Sequence, residues 1–526
     1  MRTFNTAGPC DAARHYMVPP LARMPAARTL VEQGDYFVLH APRQSGKTTL
    51  LRTLARTLTE EGKLAALQFS GEMGEPMGDD YADAERAVLA DLRRRAENAL
   101  PQELQPPDPW PVSAPGSLIR DAFSEWSGAC PRPLVLFFDE IDALRGESLR
   151  SILRQIRAGF PDRPTGYPWS IVFCGLRDVR DYKVASGGSP DRLGTSSPFN
   201  IKVHSPPLSD FTEEDVRSLY SQHTAETGQV FSEEALSLLF DLGRGQPWLT
   251  NALAREIVDG MGIAPPTPIT RDHVQTARER LILARATHLD SLVARLAEPR
   301  VKRVLEPVVA GGVIVSDTYD DDVAYVRDLG LIAPGNPVRI ANPIYREVIV
   351  RVMASSVEGN VVADPKSFVD SDGRLNLKRV LTEFAAFWKE HGELLAGGMI
   401  YHEVAPQLVL MAYLQRVVNG GGVIDREYGV GRGRIDLCIC WPYKAAGGER
   451  IWQKEAIEIK VWAKGKGDPL ARGLEQLEGY MEQMGVDRGV LAIFDRRPEA
   501  AGVEERTGFE EVTTAGKAYA VTVLRG

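Results

Sequence analysis

Cysteine is scarce in this chain: Cys10, Cys130, Cys174, Cys438 and Cys440 are scattered over 526 residues. Three of them sit in apolar, strand-like runs. Cys438 and Cys440 share a strand face, yet no second pair lies nearby to complete a zinc site. The pattern argues against a disulfide framework and a structural zinc, and for buried thiols in a reducing cytoplasm. No apolar run approaches the roughly 20 residues that a membrane-spanning helix needs. The first residues contain no apolar signal core either, so a soluble cytoplasmic chain with no membrane partner is expected. Positive charge is not in excess: 62 Lys and Arg against 71 Asp and Glu leave a net charge of −9. The bulk electrostatics therefore do not advertise nucleic acid, although a local basic strip suffices to hold phosphate. Internal repeats and coiled-coil heptads are also missing.

What is present is an ordinary globular composition, 44% hydrophobic and 25% charged. Its length exceeds the ~300 residues at which single cores stop growing, so several domains are expected.

The most informative string lies around residue 47. A short apolar strand at 36–40 runs into Ala41-Pro-Arg-Gln-Ser-Gly-Lys-Thr-Thr49 and then a helix carrying Leu50, Leu51 and Leu54. Strand, loop and Gly46-Lys47-Thr48 form a phosphate-binding arrangement. Backbone N–H groups of Arg43, Gln44, Ser45 and Gly46 face a phosphate, with Thr49 in the first helical turn. Lys47 adds a point charge, and the Thr48 hydroxyl is placed for Mg²⁺. Ala41 stands where the usual pattern has its first glycine.

Further on, Leu134-Val-Leu-Phe-Phe138 reads as a central parallel strand buried on both faces, and it ends in Asp139-Glu140-Ile-Asp142. Asp139 would act on Mg²⁺ and Glu140 would polarise the attacking water, as phosphoryl transfer requires. The bland alternative is an acidic turn capping the next helix. A third strand, Ser170-Ile-Val-Phe-Cys174, leads to Gly175-Leu-Arg177. At that edge of the sheet Arg177 is either a γ-phosphate sensor or a surface cation.

Residues 1–262 alternate strands and helices, which implies a parallel α/β sheet. Loops are expected at 101–116 and 185–198. Helix-start signals at Thr212-Glu-Glu-Asp215 and Ser232-Glu-Glu mark a helical lid over about 205–262. Leu242-Gly-Arg-Gly-Gln-Pro247 starts a helix with Pro247 at its first position. This segment resembles the Gly-x-Pro element in the lid of STAND-type and archaeal-type AAA ATPases, where the lid approaches the nucleotide. That resemblance covers roughly residues 1–262 and implies a P-loop ATPase that uses ATP and Mg²⁺.

Residues 263–354 read as helices followed by a short hairpin around 334–340. They resemble a winged-helix domain, but Asp320, Asp321 and Asp322 fall on the helix expected in a groove and would repel phosphates. A structural or regulatory role is the better expectation. Residues 355–374 read as a polar linker.

In the last domain, 375–526, Gly431-Arg-Gly-Arg-Ile-Asp436 precedes an alternating strand. A second strand contains Glu455-Ala-Ile-Glu458-Ile-Lys460-Val-Trp, and a helix follows with Gln476 and Tyr480 four apart. Residues two apart share a strand face, so Glu458 and Lys460 project together while Ile457, Ile459 and Val461 pack behind them. A carboxylate and an ammonium on an apolar strand are costly to bury unless paired or used. Together the three elements resemble the PD-(D/E)XK nuclease superfamily, a restriction-endonuclease-like α/β fold. The family's proline before the aspartate is replaced by Ile435. The resemblance implies that Asp436 and Glu458 hold Mg²⁺ and that Lys460 orients water or stabilises charge. Glu403 would be the upstream helical acid, with Gln476 nearby. Arg426, Arg432, Arg434, Lys464, Lys466 and Arg472 flank these acids. The whole chain then reads as a multidomain ATPase–nuclease fusion acting on nucleic acid, DNA foremost, with genome defence or mobile-element biology by analogy. The alternative reading makes its C-terminal domain a non-catalytic module that binds nucleic acid or a protein, and homo-oligomerisation is left open.

Overall fold

In this computed structural model the described residues are all but 177–207, 285–286, 297, 310–319, 359–367, 399–404, 419–420, 431–432, 445–448, 463 and 466. Two compact units divide the chain. The first comprises residues 1–292 and 316–344; the second comprises 293–315 and 345–526.

The core of the first unit follows from four apolar strands. They are β1 (Phe37–His40), β2 (Ala65–Ser70), β3 (Leu134–Asp139) and β4 (Ser170–Gly175), in the parallel order β1-β4-β3-β2. Every residue of β2, β3 and β4 is buried, the polar Gln68 and Ser70 of β2 together with the apolar runs of β3 and β4. Alternation splits their side chains between two cores. On one face Phe37, Leu39, Val135, Phe137 and Val172 pack against α1 (Pro25–Glu32) and α2 (Lys47–Glu60), through Leu30, Val31, Leu50, Leu51 and Leu54. On the other, Leu67, Phe69, Leu136, Phe138 and Phe173 meet α3 (Tyr81–Ala99), α4 (Leu118–Ala129) and α5 (Gly146–Gly159).

The segment expected to form a lid holds helices α6 (Glu213–Thr227), α7 (Glu233–Gly243) and α8 (Pro247–Arg255). Their starts match the sequence signals. Thr212 and Asp215 form a reciprocal capping box, the Ser232 side chain caps α7, and Pro247 occupies the first turn of α8. The N-terminal segment is tied to α6: Arg2 pairs with Glu226, the Tyr16 hydroxyl donates to Glu226, and Gln222 exchanges hydrogen bonds with the Met17 backbone.

Four helices follow: α9 (Arg271–Leu283), α10 (Thr287–Leu296), α11 (Pro299–Val309) and α12 (Asp321–Asp328). Asp320 caps α12 by accepting from the N–H groups of Asp322 and Val323. The three acids thus sit at a positive helix end, where the dipole favours them. An antiparallel bridge joins Ile332 to Ile340, at the expected hairpin, before α13 (Pro343–Glu358).

The second unit holds a six-stranded mixed sheet. Its chain order is α14 (Leu377–Gly398), α15 (Ala405–Val418), β5 (Val423–Val430), β6 (Gly433–Lys444), β7 (Arg450–Trp462), α16 (Leu470–Met484), β8 (Arg488–Asp495), α17 (Val503–Arg506), β9 (Gly508–Thr513) and β10 (Ala520–Arg525). The spatial order is β5-β6-β7-β8-β10-β9, antiparallel over β5–β7 and parallel between β7, β8 and β10. Cys438, Ala456, Leu491 and Ile493 face α16 through its residues Leu477 and Met481. Gly473 makes this approach close: a β-carbon there would lie 2.8 Å from Leu491. Phe494 points to the opposite face, where α14 supplies Trp388 at 5.3 Å between ring centroids. Among the described residues no helix is long and apolar enough to cross a membrane.

Candidate functional site

The loop between β1 and α2 reaches its turn through two left-handed residues, Gln44 (φ 59°) and Gly46 (φ 90°). Glycine carries the second of these without strain. The Lys47 ammonium folds back over the loop and donates to the carbonyls of Ala41 (2.8 Å) and Pro42 (2.9 Å). From the end of β3, separated from β1 by β4, the Asp139 carboxylate accepts from the Thr48 hydroxyl at 2.7 Å. A hydroxyl and a carboxylate, 91 positions apart in sequence, thus converge on one point. That hard-oxygen donor pair fits Mg²⁺, with water and nucleotide oxygens completing the shell.

Glu140 follows in a left-handed conformation (φ 51°), which is uncommon for a non-glycine residue. Burial, and next the Asp142 carboxylate, raise its pKa above the ordinary carboxylate value; Lys47 opposes this. Burial also raises Asp142, whose Oδ1 is enclosed without a hydrogen-bond partner.

Lys47, Thr48, Asp139 and Glu140 open into one cavity of about 540 Å³. Arg43, Gln44, Gly46, Lys47, Thr48 and Thr49 line it, as do Asp139, Glu140 and Pro247. Ser45, a residue of the same loop, is buried. Arg177 and Glu403 lie outside the described residues, as do Arg432, Lys466 and the loop expected at 185–198.

Several cavity residues had no signal in the sequence pattern. Gln68, buried on β2, donates to Asp139 at 3.2 Å, while its oxygen accepts from Arg52 (3.2 Å) and Arg95 (3.4 Å). Arg23 spans the loop carbonyl of Ser45 (2.8 Å) and the carbonyl of Ser209, ahead of the lid. Residues 5–10 line the same cavity and contact α2, the Cys10 N–H donating to the Thr49 hydroxyl at 3.0 Å. From the lid come Leu219, Trp248 and Asn251. Helical periodicity predicts the lid but not which lid residues turn toward the loop.

In the second unit, continuing the β6–β7 register past Leu437↔Ile457 sets Asp436 opposite Glu458. Asp436 Oδ2 accepts from the Ile459 N–H at 2.8 Å. Lys460 donates to Glu458 at 2.5 Å. Glu458 is buried, and burial followed by the Asp436 carboxylate pushes its pKa up to about 7, Lys460 opposing. Burial likewise raises Asp436. These three residues therefore meet on one sheet face, and it is the face covered by α16. Gln476 lies on that helix, beside the inward residue Leu477, with its Oε1 enclosed and unpartnered. The donor chemistry is two carboxylates, suited to a hard cation. Among the described residues no third acid, His or Cys completes a metal cluster. Cys438 and Cys440 form no disulfide, and their sulfurs lie within hydrogen-bonding reach at 3.8 Å.

No protein-family model matches this sequence, and no curated protein matches it. Solved structures share parts of the fold. A Walker-type ATPase of Pyrococcus abyssi is 13% identical, covering 66% of this chain and 99% of its own, with a TM-score of 0.43. The RuvB Holliday junction branch migration motor of Thermotoga maritima is 17% identical over 61% of this chain and 89% of its own, TM-score 0.33. Cdc6p from Pyrobaculum aerophilum is 14% identical over 65% and 96%, TM-score 0.35. The chemistry of the cleft is accordingly read from its own residues.

Proposed function

We propose that the first unit binds ATP with Mg²⁺ and hydrolyses it. The observation that carries this is the convergence of Lys47, the Thr48–Asp139 pair and Glu140 on one cavity. The loop N–H groups and Lys47 hold the phosphates, Thr48 and Asp139 hold Mg²⁺, and Glu140 orients the attacking water. Bound there, Mg²⁺ would neutralise charge on the phosphate oxygens. Glu140, with its basicity raised by burial, suits the water-activating role. Pro247 brings the lid to the nucleotide, and Arg177 is assigned the sensing of the γ-phosphate.

Two variants separate these roles. Lys47→Ala should weaken nucleotide affinity, whereas Glu140→Gln should keep binding and lose turnover. ATP binding and steady-state phosphate release are the measurements. Wild-type turnover in Glu140→Gln would remove its assigned role.

For the second unit we propose metal-dependent cleavage of nucleic acid, with DNA tested first. Asp436 and Glu458 would hold Mg²⁺ and Lys460 would stabilise charge at the phosphate, with Glu403 and Gln476 in support. A second reading, a binding module without chemistry, is favoured by two observations: the tight Lys460–Glu458 pair and the absence of a third acid among the described residues. Asp436→Ala and Lys460→Ala should abolish Mg²⁺- or Mn²⁺-dependent nicking while sparing ATP hydrolysis. If wild type cuts no supercoiled, linear or single-stranded substrate with either metal, with or without ATP, the binding reading replaces the nuclease. The region at 263–354 is assigned a structural or regulatory part rather than DNA reading, because its acids occupy a helix start.

A further inference from the structure

Asn251 lies one helical turn beyond Pro247 on α8 and is only 6% exposed. Its amide nitrogen donates to the Pro247 carbonyl at 2.8 Å. That bond fixes the orientation of the amide, since the opposite flip would face two oxygens toward each other. The remaining atom, Oδ1, is enclosed and has no hydrogen-bond partner, and the residue lines the cavity. A buried acceptor without a donor is costly, roughly 1–3 kcal/mol, so a persistent one calls for a ligand that satisfies it.

The surroundings say what kind of donor. The lid and N-terminal segment contribute apolar lining, among it Met17, Val18, Leu219, Pro247 and Trp248. The indole N–H of Trp248 is already spent on the Thr6 carbonyl at 3.0 Å, which leaves that ring as an apolar wall. Phosphates belong at the Lys47 loop, where the charge is. A flat aromatic group with a polar edge suits the apolar wall instead, and that is the shape of a nucleobase.

We infer that Asn251 selects adenine by accepting a hydrogen bond from the exocyclic 6-amino group of the base. This rests on the nucleotide reading of the cleft. A purine with an oxygen at position 6 would present an acceptor to an acceptor, leaving both buried and unpaired. Sites built to hydrogen-bond a group reject the analogue that lacks it for this reason.

The test is isothermal titration of the full chain with ATP, inosine triphosphate and 2′-deoxy-ATP, in wild type, Asn251→Leu and Asn251→Ala. Inosine triphosphate replaces the amino group by oxygen, turns N1 from acceptor to donor, and leaves ribose and phosphates alone. Wild type should prefer ATP over inosine triphosphate by about tenfold, and both variants should bring that ratio close to one. The preference between ATP and 2′-deoxy-ATP should not move. Because the readout is a ratio within each protein, a general loss of affinity in a variant cancels. Three outcomes overturn the inference: wild type binding both purines equally, variants keeping the wild-type ratio, or variants losing ribose discrimination instead. Lys47→Ala distinguishes the levels. If it binds ATP as wild type does, or wild type binds no nucleotide, the cleft reading falls and takes this role with it. If nucleotide binding depends on Lys47 but the purine ratio ignores Asn251, only the role of Asn251 falls.

Discussion

Asp139 accepts three hydrogen bonds: from Thr48 and Gln68 at one oxygen and from the Glu140 N–H at the other. Three donors fix the carboxylate plane, so a cation arriving there finds its ligand already oriented. Gln68 is the replaceable member. Gln68→Leu keeps the volume but removes the donor to Asp139 and the acceptor for Arg52 and Arg95. The expected result is a several-fold rise, at most about tenfold, in the Mg²⁺ concentration for half-maximal ATP hydrolysis, with metal-free nucleotide binding unchanged. A magnesium titration identical to wild type would reduce Gln68 to a packing residue.

At the scale of elements, the lid is held at its entrance by one glycine. Gly245 adopts φ +78°, its carbonyl accepts from the Phe211 N–H at 2.8 Å, and a β-carbon there would sit 1.8 Å from the Phe211 carbonyl oxygen. No side chain fits without moving the connector that leads into α6. Gly245→Ala should therefore destabilise by about 1–3 kcal/mol or more, through left-handed backbone strain and overlap together. Thr212→Ala removes only the cap at the other end of the same connector and should cost about 1 kcal/mol. Urea denaturation of both variants checks the order. Equal losses, or a neutral Gly245→Ala, would mean that the lid entrance relaxes freely.

Across the whole molecule, each of the two units has its own sheet and its own buried clusters. A ligand that binds only the folded first unit stabilises that unit by mass action, about 2.7 kcal/mol at a hundredfold excess over Kd. Calorimetry with ATP and Mg²⁺, run on Glu140→Gln to limit turnover, should therefore raise one unfolding transition and leave a second in place. A single transition that moves as a whole would show that the units unfold together.

The parts legible in the sequence are those with a local physical signature. Strand–loop–helix around Lys47, the buried run ending at Asp139, the caps at Thr212 and Ser232, and Pro247 at a helix start each depend on neighbours within a few positions. The two-residue period likewise placed Glu458 and Lys460 on one face, with Ile457 and Ile459 buried behind them. Tertiary structure alone decided which of these meet. Thr48 reaches Asp139 across 91 positions, Gln68 reaches it across 71, and Trp248 reaches Thr6 across 242. Gln68 sits between Leu67 and Phe69 in a largely apolar strand, and Asn251 within a lid helix whose sequence is equally consistent with ordinary packing. No periodicity marks either one, because what distinguishes them is a partner, or a missing partner, supplied by another element. Local patterns specify helices, strands and caps through short-range sterics and hydrogen bonds, whereas the cavity wall is set by long-range packing of the sheet, lid and N-terminal segment.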